Sequence, residues 1–244
     1  MALTKVTTGT IASETIKSAN IEDGAIVNAD VNASAAIVAS KLSGVESGFS
    51  SMQIFTSSGT WNKPTGITKV IVEVQGAGAS GIRANATGGR YAGGGGGGYA
   101  RKVIDVSSIS TATITVGAGG VGTNSTTTGN AGGSSIWADG TNTVTGGGAP
   151  TYTNANDYVT GAGGTGTGGD LNVSGQAGGG YQASCEGGAS FLGSGGLGIL
   201  YLTNPQTNVG ILGGGGCGHQ DNNQSASSTS GAGAVGIVIV TEYK

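Results

Sequence analysis

The sequence predicts an all-β protein in two parts: an N-terminal pentad-repeat trimeric stalk, then a glycine-rich β-sandwich-like domain with packed polyglycine segments. Three observations carry this reading. Aliphatic residues near the start recur at a step of five. Short stretches after residue 52 alternate branched aliphatics with polar residues. Between those stretches stand blocks of nearly pure glycine, and no stretch has helical periodicity.

The pentads place aliphatics at Val6, Ile11, Ile16, Ile21, Ile26 and Val31, with Ala36 next; the register then slips by one, and Ile37 and Leu42 resume the step. Five residues advance an α-helix by about 140°, which would scatter these side chains around the axis. On a strand an odd step sends successive members to opposite faces. Each pentad is therefore one unit of a turning path that delivers its fifth residue to a common interior. Two geometries do this. One is a single-chain solenoid with five residues per side, which forty residues would carry through only about two coils, and short stacks are unstable. The other is a thread of parallel copies around one axis. Eight aliphatics offset only part of the entropy of ordering forty residues, so burial shared between copies favours the second. The expectation is a homotrimer with these eight residues as its core.

Residues 1–42 form this stalk, residues 43–51 (Ser-Gly-Val-Glu-Ser-Gly-Phe-Ser-Ser) a joint, and residues 52–244 the second domain. Strands are expected at Gln53–Thr56, Ile67–Gln75, Tyr99–Val106, Thr111–Val116, Ser134–Ala138 and Val235–Tyr243. Lys63-Pro64-Thr65-Gly66 reads as a turn. The last strand has aliphatics on both faces, which places it mid-sheet beside Ile67–Gln75. The glycine blocks, such as Gly93–Gly98 and Gly213–Gly218, belong to a chain with 53 Gly and only 3 Pro. Glycine is costly to order, so a fold that uses this much of it gains close backbone approach. Extended left-handed threads without side chains can pack laterally and bond one another.

Composition bounds the function. Charged residues are 9% of the chain and the formal net charge is −3, which argues against nucleic acid. No run of about twenty apolar residues and no charged-then-apolar leader is present, so the protein is expected not to be membrane-embedded. Cys185 and Cys217 could pair or stand as buried thiols. Gly76-Ala77-Gly78-Ala79-Ser80-Gly81 matches a dinucleotide fingerprint, but the helix that mechanism needs does not follow. His219 lies two residues after Cys217 and two before Asp221, without the second cluster that zinc requires. It reads as a solvent-facing loop histidine. Among the acids, Asp139, Asp157, Asp170, Glu186 and Asp221 sit in loops with no spacing that singles out a pair. No catalytic residue, metal or cofactor is expected.

Aromatics mark the polar inserts. Tyr152 and Tyr158 bracket residues 151–160, Tyr181 follows a glycine block, Phe191 and Tyr201 flank further inserts, and His219 opens the run to Ser230. Polar inserts on a fixed frame suit recognition, with tyrosine giving contact area at low entropic cost. The candidate binding residues are Tyr152, Tyr158, Tyr181, Phe191, Tyr201, His219 and Asp221. The competing reading has these aromatics covering a small core.

The stretch Ile54-Phe55-Thr56-Ser57-Ser58-Gly59-Thr60-Trp61-Asn62-Lys63-Pro64, then Thr68–Val74 and a Gly-Ala-Gly run, resembles the glycine-rich domain common in phage tail fibres. Gly236–Tyr243 is similar to that domain's closing strand, and pentads such as Ala19–Ile26 resemble repeats near the start of marine phage fibre proteins. Residues 146–230 resemble in composition the tip adhesins of T-even-type phages, whose packed polyglycine helices carry receptor-binding loops; the pentads depart from those adhesins. The resemblance implies a virion fibre on the phage tail or particle surface. Its N-terminal stalk would dock on a tail or capsid protein, and loops 151–160, 199–209 and 218–230 would meet a host surface glycan or outer-membrane protein. A capsid-decoration fibre without a receptor site and a glycan-degrading tailspike are the alternatives.

Overall fold

A computed structural model of the chain describes residues 16–32, 35, 48–84, 92–153, 160–180, 185–197, 209–220 and 229–244. The chain divides into two compact units, Met1–Glu46 and Ser47–Lys244.

In the first unit the step of five has a backbone cause. The N–H groups of Asn20, Ala25, Asp30 and Ala35 donate to the carbonyls of Lys17, Glu22, Val27 and Asn32, each three residues back. One tight turn therefore recurs every five residues through the described pentads, two of them forming the 3₁₀ segments Ser18–Asn20 and Asn28–Asp30. Side chains lock the turns: Asn20 Oδ1 accepts from Lys17 N–H and Asp30 Oδ2 from Val27 N–H, both at 3.0 Å. Ile16, Ile21, Ile26 and Val31 are 38–59% exposed in the single chain. The other four expected core residues, Val6, Ile11, Ile37 and Leu42, lie outside the described residues.

The second unit is all-β among the described residues. Its strands are β1 (Phe49–Phe55), β2 (Gly59–Asn62), β3 (Lys69–Gln75), β4 (Arg83–Ala84), β5 (Tyr99–Asp105), β6 (Thr111–Thr115), β7 (Thr128–Gly129), β8 (Ser135–Ala138), β9 (Thr143–Gly146), β10 (Tyr152–Thr153), β11 (Gly166–Thr167), β12 (Leu171–Val173), β13 (His219–Gln220) and β14 (Ile237–Tyr243). Two five-stranded antiparallel sheets run β1-β14-β3-β5-β12 and β11-β9-β8-β6-β2. The C-terminal strand is internal, pairing with β3 from Ile237↔Gln75 to Tyr243↔Lys69. Strand β1 begins at Phe49, inside the span read as a joint, because Phe49 already pairs with Tyr243 and their rings meet edge-on. Strands β2 and β9 were not expected, being four residues each and bounded by turn formers.

Alternation fills one core from both sheets. Val70, Val72, Val74, Val238 and Val240 meet Trp61, Ile114, Trp137 and Val144, with the indole rings 5.1 Å apart. The Glu242 carboxylate is fully buried there. It accepts from Trp61 Nε1 and Gln53 Nε2, both at 2.7 Å, and from the Ser51 hydroxyl. Three donors on one carboxylate replace the water it gives up.

Beyond the sheets the glycine blocks form a lattice of three-residue period. Along thread 76–82, the N–H groups of Gly76, Ala79 and Ile82 donate to Gly98, Gly95 and Ala92; those of Ala77 and Ser80 to Gly133 and Asn130; those of Gly78 and Gly81 to Ala234 and Gly231. Each third residue faces the same neighbour, and the acceptor steps back by three, so all three neighbours run antiparallel to the thread. This is the geometry of a three-residues-per-turn left-handed helix, whose polar groups have no partner within the helix. Thread 93–98 repeats it: Gly93 and Gly96 donate to Gly179 and Gln176, Gly94 and Gly97 to Gly216 and Gly213. Strands β3, β5 and β14 all join threads at the same sheet end, at Gln75, Tyr99 and Ile237.

Close approach makes glycine obligatory. A Cβ at Gly95 would stand 1.9 Å from the Ala162 carbonyl oxygen, whereas one at Gly59 meets nothing within 4 Å. Gly95→Ala is expected to destabilise the protein by about 3 kcal/mol or more, lowering the melting temperature by about 10 °C. Gly59→Ala should stay within about 0.5 kcal/mol of the parent. Thermal unfolding followed by circular dichroism checks the contrast.

Candidate functional site

Thread 76–82 leaves β3, and thread 93–98 returns to β5. At about 3.1 Å per residue the lattice extends roughly 20 Å from the sheets. Its far end collects the starts and finishes of several loops. Ile82, Ala92 and Tyr152 form a small second core there. The Tyr152 hydroxyl donates to the Ala92 carbonyl at 2.9 Å, and β10 pairs with β7. His219 N–H donates to Ile82 O at 3.1 Å, and β13 pairs in parallel with β4. Gly218 N–H donates to Cys185 O at 2.7 Å, Ala92 bridges to Gly180, and the Ser230 hydroxyl donates to Gly81 O at 2.7 Å. The described residues that flank 85–91, 154–159, 181–184 and 221–228 in the sequence thus meet at one end of the frame.

The anchors are interior groups. Arg83 and His219 are each 7% exposed and Tyr152 6%. Burial pushes the Tyr152 hydroxyl well above the usual tyrosine range. Two expectations are corrected here. His219 is not a solvent-facing loop histidine, because strand pairing with Arg83 carries it inside. Tyr152 is not a surface contact, because its ring fills the second core and its hydroxyl is committed to Ala92. Both cysteines are buried.

Phe191 falls elsewhere. It stacks on Tyr99 with ring centroids 4.2 Å apart, at the sheet end of the lattice. Tyr99 donates to Glu73 Oε1 at 2.5 Å, and burial, then this carboxylate, raises its hydroxyl out of the usual range. Leu192 N–H donates to Gln75 Oε1 at 3.3 Å, fixing the turn over β3 and β5. Beside it Ile211-Leu212-Gly213-Gly214 turns with φ of 42° at Leu212 and 85° at Gly213, closed by Gly214 N–H on Ile211 O at 3.0 Å. Tyr158, Tyr181, Tyr201 and Asp221 lie outside the described residues.

Sequence reasoning missed Ile82, Arg83 and Ala92 as anchors. The available signal was the return of large side chains, Ile82-Arg83, directly after a run of Gly, Ala and Ser. The dinucleotide-like stretch Gly76–Gly81 is itself a buried lattice thread, with its N–H groups used by neighbouring threads. Two of the loop carboxylates are structural: Asp139 accepts from Trp137 Nε1 and from Thr141 and Asn142 N–H, and Asp170 from Val103 N–H, while Glu186 is exposed. Among the described residues no three ligating side chains come together for a metal. None of the described helices is long and apolar enough to cross a membrane.

A family model described as a glycine-rich domain matches residues 55–243, from the last residue of β1 to the last residue of β14. Comparison with curated proteins gives no match.

The buried phenol gives a pH test. Its pKa is raised by folding, so its contribution is fully present below about pH 10 and lost as pH rises further. Tyr152→Phe should lower the melting temperature near neutrality by about 3 °C, the worth of one hydrogen bond in a unit this size. Its alkaline decline above about pH 10 should be shallower than the parent's. Melting curves across pH for both proteins check this.

Proposed function

The chain belongs to the glycine-rich domain family, and we propose that it is a virion fibre protein, a tail fibre or adhesin that binds a host cell-surface receptor during adsorption. The observation that carries the reading is the gathering of four loop tethers at one end of a laterally bonded frame. A frame of backbone bonds holds such loops in fixed relation while leaving their sequences unconstrained.

In this reading the two sheets with their common core form a β-sandwich that carries the lattice. The pentads join three copies into a stalk that docks on a virion tail or capsid protein. The exposed line of Ile16, Ile21, Ile26 and Val31 supports this, since one copy leaves those side chains uncovered. Recognition of a host glycan or outer-membrane protein proceeds by shape, hydrogen bonding and stacking, without covalent chemistry. Three identical sites add through avidity.

Replacing residues 154–159, or 221–228, with Gly-Ser segments of equal length tests the receptor role without touching the buried anchors. Adsorption of particles carrying either protein should fall at least about tenfold, the scale of an avidity loss, with particle assembly intact. Unchanged adsorption in both cases would refute receptor binding by this end and leave a decorative fibre. Release of reducing ends from host polysaccharide would instead reveal an enzyme.

A further inference from the structure

A second surface stands outside the loop end. Among the described residues strand β1 is the outer strand of its sheet, paired with β14 on one side. The other sheet-edge strands are short: β12 has three residues, β11 two and β2 four. Short edges limit unwanted pairing, as do charges and proline. Strand β1 has neither protection, being seven residues (Phe-Ser-Ser-Met-Gln-Ile-Phe) without a charge or a proline.

Its outward face is also apolar. Met52 and Ile54 pair with Thr241 and Ile239, which alternate with the buried Val240 and Val238, so they point away from the core. Inward-pointing Ser51 and Gln53 are the residues that hold Glu242. Phe49, Met52 and Ile54 are 64, 51 and 58% exposed. Half-buried Ile71 and exposed Val103 continue the Met52 row across the sheet. An unprotected edge beside exposed Met52 and Ile54 accepts another strand or a flat apolar surface, while the rows on either side of Met52 end in the charged pairs Lys69–Asp105 and Glu73–Arg101 further across the sheet.

We infer that this β1 face is a contact between copies of the chain, with Met52 and Ile54 of one copy packing against the same region of its neighbours. The inference rests on the trimeric reading above and extends it to the second unit. The occupant follows from two facts. The described part of the first unit leaves Ile16, Ile21, Ile26 and Val31 38–59% exposed, which is the same chemistry. Strand β1 starts three residues after Glu46, where that unit ends. Association through the pentads therefore holds the β1 strands of sister copies at effective concentrations of order mM, where an apolar, self-similar face closes on itself.

The full-length chain and its Met52→Lys/Ile54→Lys variant are compared by sedimentation and light scattering over a dilution series, with circular dichroism to confirm the fold. Oxidation of a separate Ile54→Cys variant, set against the parent with its own two cysteines, reads proximity directly. The parent should have a mass of about 70 kDa, three times 23.3 kDa. The lysine variant should dissociate at a concentration at least tenfold higher, and the cysteine variant should cross-link into dimers that the parent does not form. An assembled parent whose lysine variant dissociates alike and whose cysteine variant stays uncross-linked would overturn the β1 contact and leave the pentad trimer standing. A parent that is monomeric throughout would overturn both.

Discussion

Lateral hydrogen bonding between threads that carry almost no side chains is the constraint on which the second unit depends. A three-residue left-handed helix satisfies none of its own N–H or C=O groups, so it can be buried only if neighbours supply every partner. The cyclic order of donors along 76–82, to three different threads in turn, meets that condition for its N–H groups. It also explains why glycine dominates. A donor and acceptor at about 2.9 Å on every side leave no room for Cβ, as the 1.9 Å approach at Gly95 illustrates. Stability here comes from saturated backbone bonding, with the apolar core confined to the sheets and the small cluster around Tyr152.

Division of labour follows from that separation. The sheets provide hydrophobic burial and set the starting register, since β3, β5 and β14 enter the lattice side by side. The threads transmit that register outward, and the far end is closed by the larger residues Ile82, Tyr152, Arg83 and His219. Among the described residues the bonds between threads are almost all backbone to backbone, with Ser230 among the exceptions, so the frame leans little on side-chain identity.

Much of this was legible in the sequence, and the reasons are specific. Alternation of Val70, Val72 and Val74 against Lys69, Ile71 and Glu73 marks β3, and aliphatics on both faces of 237–240 mark an internal strand. The pentad step is visible because turn and aliphatic recur together. Lattice register was not legible: a glycine has no side chain to say which neighbour it faces, and only the three-dimensional partner of each N–H reveals the period. Tyr152 and His219 were misplaced for a related reason. In a chain so poor in large residues, a lone aromatic or histidine beside a polar insert is as useful for plugging the frame as for touching a ligand. The four-residue strand that carries Trp61 is hidden by the glycine and proline that bound it.

Amide hydrogen exchange resolved by residue tests the lattice most directly. If the threads are saturated by lateral bonds, the amides of Gly76–Gly81, Gly93, Gly94 and Gly96–Gly98 will exchange as slowly as those of Val70–Val74 in β3, opening only with the whole unit. Exchange of those glycine amides at rates typical of exposed loops, while β3 stays protected, would contradict the account.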